Sequence, residues 1–181
     1  MGFDLAERRQ AAALTQEGVD LFFKSVYNDA LARFDAAIEL DPSFARPYAA
    51  KAFCLMQLGN PREGLAYATK ALELDPNNAV YYTTRGFLRH RLADDDGAVA
   101  DFARAVELDP GDFRVYYNVA CYWAERGDEA ECRFNLEQAV ELAPGHFATA
   151  MGSDPDLARY AGREWFHELL ASLKERYSDK G

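Results

Sequence analysis

The sequence lacks the residues and spacings that catalytic and metal-binding sites need. It has only three histidines and three cysteines in 181 residues. It contains no Cys-x-x-Cys pair, no His-Glu-x-x-His motif and no Gly-rich phosphate loop. The cysteines Cys54, Cys121 and Cys132 show no metal-ligand spacing with one another or with a histidine. These absences predict a protein without enzymatic activity, bound metal or other cofactor.

Basic charge is scarce as well. Lys and Arg number 20 against 30 Asp and Glu, which gives a net charge of −10 and disfavours general binding to nucleic acid. No stretch approaches the roughly 20 consecutive apolar residues of a membrane span. The first residues show no basic start followed by an apolar core, so we expect no signal peptide. We therefore predict a cytoplasmic protein, with reduced cysteines, that binds neither nucleic acid nor membrane.

The most informative feature that is present is a repeat. The prolines of Asp41-Pro42, Asp75-Pro76, Asp109-Pro110 and Ala143-Pro144 stand 34 residues apart each time. A fixed period of this size predicts tandem copies of one supersecondary unit, which stack as a solenoid. The chain is divided accordingly into an N-terminal extension of the first helix (1–10), four repeats (11–44, 45–78, 79–112 and 113–146) and a C-terminal turn and capping helix (147–181).

Each repeat has the pattern of two helices. In the second half, small or apolar residues recur at the spacing of an amphipathic helix, as in Ala30, Phe34, Ala37 and Ile38. The proline ends that helix because it lacks an N–H and disfavours the α conformation of the residue before it. The first halves, such as VYYTTRGFLRHRLA, also read as helices. Capping residues such as Asn60 and Asp128 stand between the halves. The pattern predicts an all-α chain of helix-turn-helix repeats.

These positions resemble the tetratricopeptide repeat family, whose signature is a large residue, a small residue four positions later, Ala-x₃-Phe, a further Ala and a Pro. The large residue is, in repeat order, Leu14, Tyr48, Tyr82 and Tyr116. The small residue is Gly18, Ala52, Gly86 and Ala120. The later Ala is Ala37, Ala71, Ala105 and Ala139. The resemblance, to a bacterial-type array, implies an α-solenoid whose first helices line a concave, protein-binding surface.

Residues 147–181 leave the repeat period. A turn at Ser153-Asp154-Pro155 precedes a helix with one apolar stripe, formed by Phe166, Leu169, Leu170, Leu173 and Tyr177. The segment resembles the terminal module, with a DPDL turn and a helix, that follows many bacterial repeats of this family. An array must cover the exposed face of its last repeat, so we interpret this helix as a cap. The alternative is a helix for homo-oligomerisation.

The resemblance also implies where a partner binds. Exposed concave residues lie one, four, eight, eleven and twelve positions after the start of each repeat. The five rows are Ala12, Arg46, Val80 and Arg114; Thr15, Ala49, Thr83 and Tyr117; Val19, Phe53, Phe87 and Cys121; Phe22, Met56, His90 and Ala124; and Phe23, Gln57, Arg91 and Glu125. The residues expected to contact the partner are Val19, Arg46, Phe53, Met56, Thr83, Phe87, His90, Arg91, Arg114, Tyr117 and Cys121.

An apolar floor with arginines at its rim predicts a protein or peptide partner with apolar anchors and some acidic residues. Chaperone-binding members of the family grip a terminal carboxylate with Lys and Asn. The corresponding positions here are Thr15, Val19 and Ala50, or one repeat later Ala49, Phe53 and Thr84. Only Arg114 and Asn118 of the fourth repeat suit such a grip, so we expect no chaperone-tail binding of that type. Three alternatives stay open: the aromatic rows are filled by the chain itself, the protein self-assembles, or it is an RNA-binding helical array.

Overall fold

The computed structural model describes residues 5–177, except for the side chains of 148–150, 153, 156, 176 and 177. Within this range every regular element is a helix and no strand occurs, which confirms the predicted all-α fold class. Residues 1–4 and 178–181 of the predicted terminal segments lie outside the described residues. The chain divides into two compact units, Met1–Leu108 and Asp109–Gly181.

The first unit consists of helical hairpins that stack on one another. Within each hairpin the two helices pack together, and α2 also contacts α3 while α4 contacts α5. The second helices end at a leucine two residues before the repeated proline, as predicted. The helices are α1 (Leu5–Phe23), α2 (Tyr27–Leu40), α3 (Ala45–Gln57), α4 (Pro61–Leu74), α5 (Ala79–Arg91) and α6 (Asp95–Leu108).

Small residues on the first helix of a hairpin let the second helix approach closely. A Cβ added to Gly18 would lie 2.5 Å from the ring of Phe34, and one added to Gly86 would lie 2.9 Å from the ring of Phe102. Both rings are almost fully buried. The glycines therefore leave the volume that these rings fill, and dense packing of this kind stabilises the hairpin.

The same turn joins the two helices of every hairpin. One residue with a positive φ recurs every 34 residues: Ser25 (61°), Gly59 (78°), Ala93 (62°) and Gly127 (79°). The N–H of each donates to the carbonyl three residues earlier, and the next N–H donates to the carbonyl five residues earlier. This pair of bonds is the Schellman motif, which ends a helix through one left-handed residue.

The second unit is one hairpin with a cap. Phe166 and Leu173 of the last helix are buried in the hairpin core, and Leu169 and Leu170 pack against that core. Trp165 Nε1 donates to Glu129 Oε1 at 2.8 Å. The predicted capping helix is therefore confirmed, although the Tyr177 side chain lies outside the described residues. The helices are α7 (Phe113–Arg126), α8 (Glu129–Leu142), α9 (Pro144–Ala150), two 3₁₀ helices (Met151–Ser153 and Pro155–Tyr160) and α10 (Glu164–Tyr177).

One of the two predicted caps is present. Asp128 accepts a hydrogen bond from the N–H of Glu131 at 3.1 Å. Asn60 makes no side-chain cap bond because its backbone (φ −110°, ψ 56°) is not extended. Asn60 therefore stands at the predicted N-cap position, before Pro61, but without the predicted capping hydrogen bond. Within residues 5–177, no helix combines the length and apolar character needed to cross a membrane.

Candidate functional site

The predicted rows on the first helices differ sharply in exposure, and one of them is core. In the first unit, Thr15, Ala49 and Thr83 are all buried. The hydroxyls of Thr15 and Thr83 donate to the carbonyls of Ala11 at 2.7 Å and Val80 at 2.8 Å. Thr83 is 2% exposed, so its side chain offers no surface to a partner.

Two neighbouring rows of the first unit are half-buried and mostly apolar. We call these six residues of α1, α3 and α5 the first-helix face: Val19, Phe22, Phe53, Met56, Phe87 and His90. The rings of Phe22 and Phe53 lie 5.3 Å apart and join α1 to α3. The Phe87 ring lies 5.2 Å from Phe102. Because α1 contacts α3 and α3 contacts α5, residues at the same repeat position lie side by side on this face.

The outer row is exposed and adds an aromatic residue at the end of α1. Phe23 is 80% exposed, and its ring meets that of Phe22 edge-on at 5.7 Å. Gln57 and Arg91 hold the same position in α3 and α5 and are exposed too. Phe22 and Phe23 both stand in the predicted rows, but neither is among the predicted contact residues. The place of Phe23 in the exposed row, beside Phe22, was the signal for it.

The predicted basic rim is partly neutralised by the chain itself. His90 Nδ1 lies 2.8 Å from Asp95 Oδ1. The Arg114 guanidinium grips Asp112 at the start of its own helix, with Nη2 to Oδ2 at 2.6 Å. These hydrogen bonds hold the pKa of Asp112 below its usual value. Arg46, by contrast, is exposed and donates to the neutral amide oxygen of Gln16 at 3.1 Å.

In the second unit, a segment of the chain itself covers the equivalent positions of α7. The ring of Tyr117 lies 5.6 Å from Phe147, and its hydroxyl donates to the carboxylate of Asp154. Burial and this hydrogen bond raise the pKa of Tyr117. Cys121 is 7% exposed, so its thiol does not lie on an open surface, and Tyr117 is half-buried beside Phe147. We call residues 144–160 the covering segment.

Small residues on α7 allow this close cover. Cys121 and Ala124 stand where α3 has Phe53 and Met56, and both are buried. The guanidinium of Arg159 donates to the carbonyl of Ala124 and, at 3.3 Å, to that of Glu125. A cation placed on the last carbonyls of a helix compensates their partial negative charge. The covering segment is thus held by apolar packing and by charge at the end of α7.

The cysteines and carboxylates do not assemble a site. Cys54, Cys121 and Cys132 are buried thiols, and burial raises the pKa of Cys132 to about 11. In the part of the chain that the structure describes, no group of three or more His, Cys, Asp or Glu could hold a metal ion. Asp94, the first residue of the acidic run Asp94-Asp95-Asp96, caps α6 by accepting from the N–H of Gly97 at 3.1 Å.

Comparison with known proteins finds similarity to tetratricopeptide repeat proteins. Residues 27–86 match a family model described as tetratricopeptide repeat. No curated protein matches the chain. A solved structure of TTC0263, a thermophilic TPR protein in Thermus thermophilus, is 16% identical with a TM-score of 0.73; the match covers 94% of this chain and 93% of that one.

The descriptions of two further structures name a peptide-binding site or a bound peptide. YrrB, a TPR protein with an unusual peptide-binding site, is 25% identical with a TM-score of 0.54; the match covers 92% of this chain and 86% of that one. The first TPR of Spaghetti (RPAP3), bound to an HSP90 peptide, is 22% identical with a TM-score of 0.57; the match covers 60% of this chain and 88% of that one. Both share the fold of paired helices.

Proposed function

We propose that the chain, whose residues 27–86 match the tetratricopeptide repeat model and whose fold resembles that of TTC0263, is a non-catalytic adaptor or scaffold that binds a peptide or partner protein on the first-helix face. The contact residues in the first unit are Val19, Phe22, Phe23, Arg46, Phe53, Met56, Phe87, His90 and Arg91. Arg114, exposed on α7, remains a candidate contact of the second unit. Thr83, Tyr117 and Cys121 are left out because they are buried or covered by the chain itself.

The observation that carries this proposal is the half-buried aromatic pair Phe22 and Phe53, with the exposed Phe23 beside it. Phe22 also packs against the buried cluster of Ala30, Phe34 and Cys54, whereas Phe23 leaves a large apolar surface exposed, which is typical of a binding surface. Burying one aromatic anchor at the centre of an interface contributes on the order of 2 kcal/mol to binding. Peptide binding by YrrB and by the first TPR of RPAP3 supports a peptide as the ligand class.

The charge of the surface supports a partner with apolar anchors and some acidic residues. Arg46, which is exposed and hydrogen-bonds to a neutral amide, lies on α3 beside the aromatic residues of an otherwise acidic chain, whose net charge is −10. That net charge argues against an RNA partner. The positions for a chaperone-type carboxylate clamp hold Thr15, Val19 and Ala50, so a chaperone tail is not the proposed ligand. The buried thiols favour a reducing compartment such as the cytoplasm.

Self-association is the second candidate, and the structure gives it less support. The apolar stripe of α10 is used within its own unit, where Phe166 and Leu173 are buried. Light scattering from micromolar to near-millimolar concentration separates the candidates. An adaptor keeps the mass of one chain, whereas a self-assembling subunit gains mass with concentration.

A displayed library of random 16-residue peptides tests the adaptor. We expect the wild type to enrich peptides with apolar and acidic residues, and the Phe53→Glu/Phe87→Glu double variant to enrich none. Val99→Glu is the matched control because Val99 is an exposed apolar residue of a second helix, α6. Circular dichroism checks that the variants stay folded, and Phe23→Glu, at an exposed position, repeats the test if the double variant unfolds. Equal enrichment by the wild type and a folded Phe23→Glu variant would contradict the proposal.

A further inference from the structure

The outward side of α8 differs from the outward sides of the other second helices. Phe134 is 57% exposed there. The residue at the same repeat position is an exposed alanine in the three hairpins of the first unit: Ala32, Ala66 and Ala100. A single exposed apolar residue is ordinary on a protein surface, but these alanines show that the hairpin needs no ring at this position. Packing of the hairpin therefore does not account for Phe134.

Leu142 enlarges the apolar area that begins at Phe134. Every repeat has a leucine at this position. Leu40, Leu74 and Leu108 are half-buried, whereas Leu142 is 45% exposed. Gln138 stands four residues from both Phe134 and Leu142, so the three residues follow one side of α8. We call this side the α8 outer face, and its residues are Glu131, Phe134, Gln138, Glu141 and Leu142.

Carboxylates surround the apolar residues of this face. Glu131 and Glu137 stand three residues before and three after Phe134, and Glu141 stands seven after it, which places all three on the same side of the helix. Glu131 and Glu141 are exposed. Arg133 is the only basic residue of α8, and its charge is balanced by Glu137, whose carboxylate accepts from Arg133 Nε at 2.7 Å. The α8 outer face is therefore apolar at its centre and negative around it.

We infer that the α8 outer face is a second binding surface, and that its occupant is a short segment of another protein with an apolar anchor and several Lys or Arg residues. The anchor packs on Phe134 and Leu142, and the basic side chains pair with Glu131 and Glu141. Charge complementarity supports this choice, because an acidic segment would be repelled here. A second copy of this chain, with a net charge of −10, is disfavoured for the same reason. The inference goes beyond the proposed function, since it gives the second unit a partner of its own.

Selection from a displayed library of random 16-residue peptides tests the inference on the full-length protein. Phe134→Ala introduces the residue that the other three hairpins have at this position, so we expect the variant to fold. The wild type should enrich a set of peptides with Lys or Arg around an apolar residue. This set should be lost with Phe134→Ala and kept with Phe23→Glu. Val99→Ala is the matched control, because it removes an exposed apolar side chain from another second helix, and it should keep the set as well.

A synthetic peptide from that set, labelled with fluorescein, measures the contributions by fluorescence anisotropy. Phe134→Ala should weaken its binding by about ten-fold or more, as loss of an apolar anchor does. Glu131→Gln and Glu141→Gln should each weaken binding about three-fold, the scale of an exposed ion pair. Glu107→Gln, at an exposed carboxylate of α6, should leave binding unchanged. Added salt should weaken binding to the wild type more than binding to the Glu131→Gln/Glu141→Gln double variant, since salt screens exposed charges.

Three outcomes would overturn the inference. No enriched peptide depends on Phe134, or the peptides that depend on it are acidic or uncharged. Alternatively, light scattering shows self-association that Phe134→Ala abolishes, in which case a second copy covers the face. Circular dichroism checks the fold, and the Glu131→Gln/Glu141→Gln variant repeats the selection if Phe134→Ala unfolds. The proposed function fails separately, because it depends on Phe23→Glu abolishing the acidic peptides.

Discussion

The left-handed residue of the hairpin turn provides a sharp test of how the repeat is built. This position is glycine in two hairpins, Gly59 and Gly127, and Ser25 or Ala93 in the other two. For an L-residue with a side chain, the left-handed conformation costs about 1–2 kcal/mol. Glycine avoids that penalty but loses about 0.4–1 kcal/mol through the greater entropy of the unfolded chain. We therefore expect Ala93→Gly to stabilise the protein by about 0.5–1 kcal/mol.

The converse change isolates the same effect. A Cβ added to Gly59 would meet nothing within 4 Å, so Gly59→Ala changes only the backbone preference and should cost a similar 0.5–1 kcal/mol or so. Ala93 is exposed, so little packing is lost in Ala93→Gly. Ala103→Gly is the matched control, since Ala103 is exposed in the middle of α6, where glycine costs about 1 kcal/mol.

Urea unfolding followed by circular dichroism at 222 nm measures these differences. Thermal midpoints should move in the same directions by about 1–4 °C, given about 2–4 °C per kcal/mol for a chain of this size. The direction of each change is the test. Ala93→Gly should raise the free energy of unfolding, whereas Gly59→Ala and Ala103→Gly should lower it. If Ala93→Gly destabilises the protein as much as Ala103→Gly does, the turn at Ala93 does not have the left-handed conformation and the common Schellman turn is refuted.

Three further predictions follow from buried groups. Asp101→Asn should cost about 3 kcal/mol in urea unfolding, because the 2% exposed carboxylate binds Arg85 and Arg89; the exposed Glu107→Gln should cost less than 0.5 kcal/mol or so. Tyr117→Phe should speed amide hydrogen exchange across residues 144–160, because it removes the hydrogen bond to Asp154. We expect that bond to contribute about 1–1.5 kcal/mol. Unchanged exchange in these residues would show that the bond does not hold the covering segment. The Cys132 thiol, whose pKa burial raises to about 11, should not react with a disulfide reagent at pH 8 until denaturant is added, since the thiolate is the reactive form; fast labelling of the folded protein would refute its burial.

The period of the sequence was enough to predict the helices, because a helix end needs only local signals. Pro42 and its equivalents remove a backbone donor at a fixed place, and the apolar stripe decides which side of the helix is buried. The capping role of the last helix was also predictable, since Phe166 and Leu173 form a stripe with no partner in the repeat. Both features depend on residues close together in the chain.

The exposure of the predicted site was not predictable in the same way. A row position such as that of Phe53 or Cys121 is open or covered depending on which distant segment packs on it. Cys121 and Ala124, the small residues of α7, were the sequence signal that another element comes close, and Arg159 lies more than 30 residues away from the carbonyls it binds. The partners of His90 and Arg114 were easier to predict, because Asp95 and Asp112 lie within five residues of them in the sequence.

One further regularity concerns how each first helix selects its second helix. Residues 16 apart form a polar pair inside each hairpin of the first unit. The three pairs differ in composition but hold the same repeat positions: Glu17–Arg33 at 3.4 Å, Lys51–Tyr67 at 2.9 Å and Arg85–Asp101 at 2.6 Å.

Exchanging helices between hairpins would break these pairs. Packing α1 on α6 in the hairpin register would set Glu17 opposite Asp101, which opposes like charges. Lys51, by contrast, already forms an ion pair with Asp35 of α2, so its charge does not by itself select α4. The exposed pair Glu17–Arg33 adds at most about 1 kcal/mol to stability, so its value lies mainly in the penalty on wrong pairings. Repeats with nearly the same backbone can exchange partners during folding, and varied charges at one fixed position counter that exchange while leaving the apolar signature of the repeat unchanged.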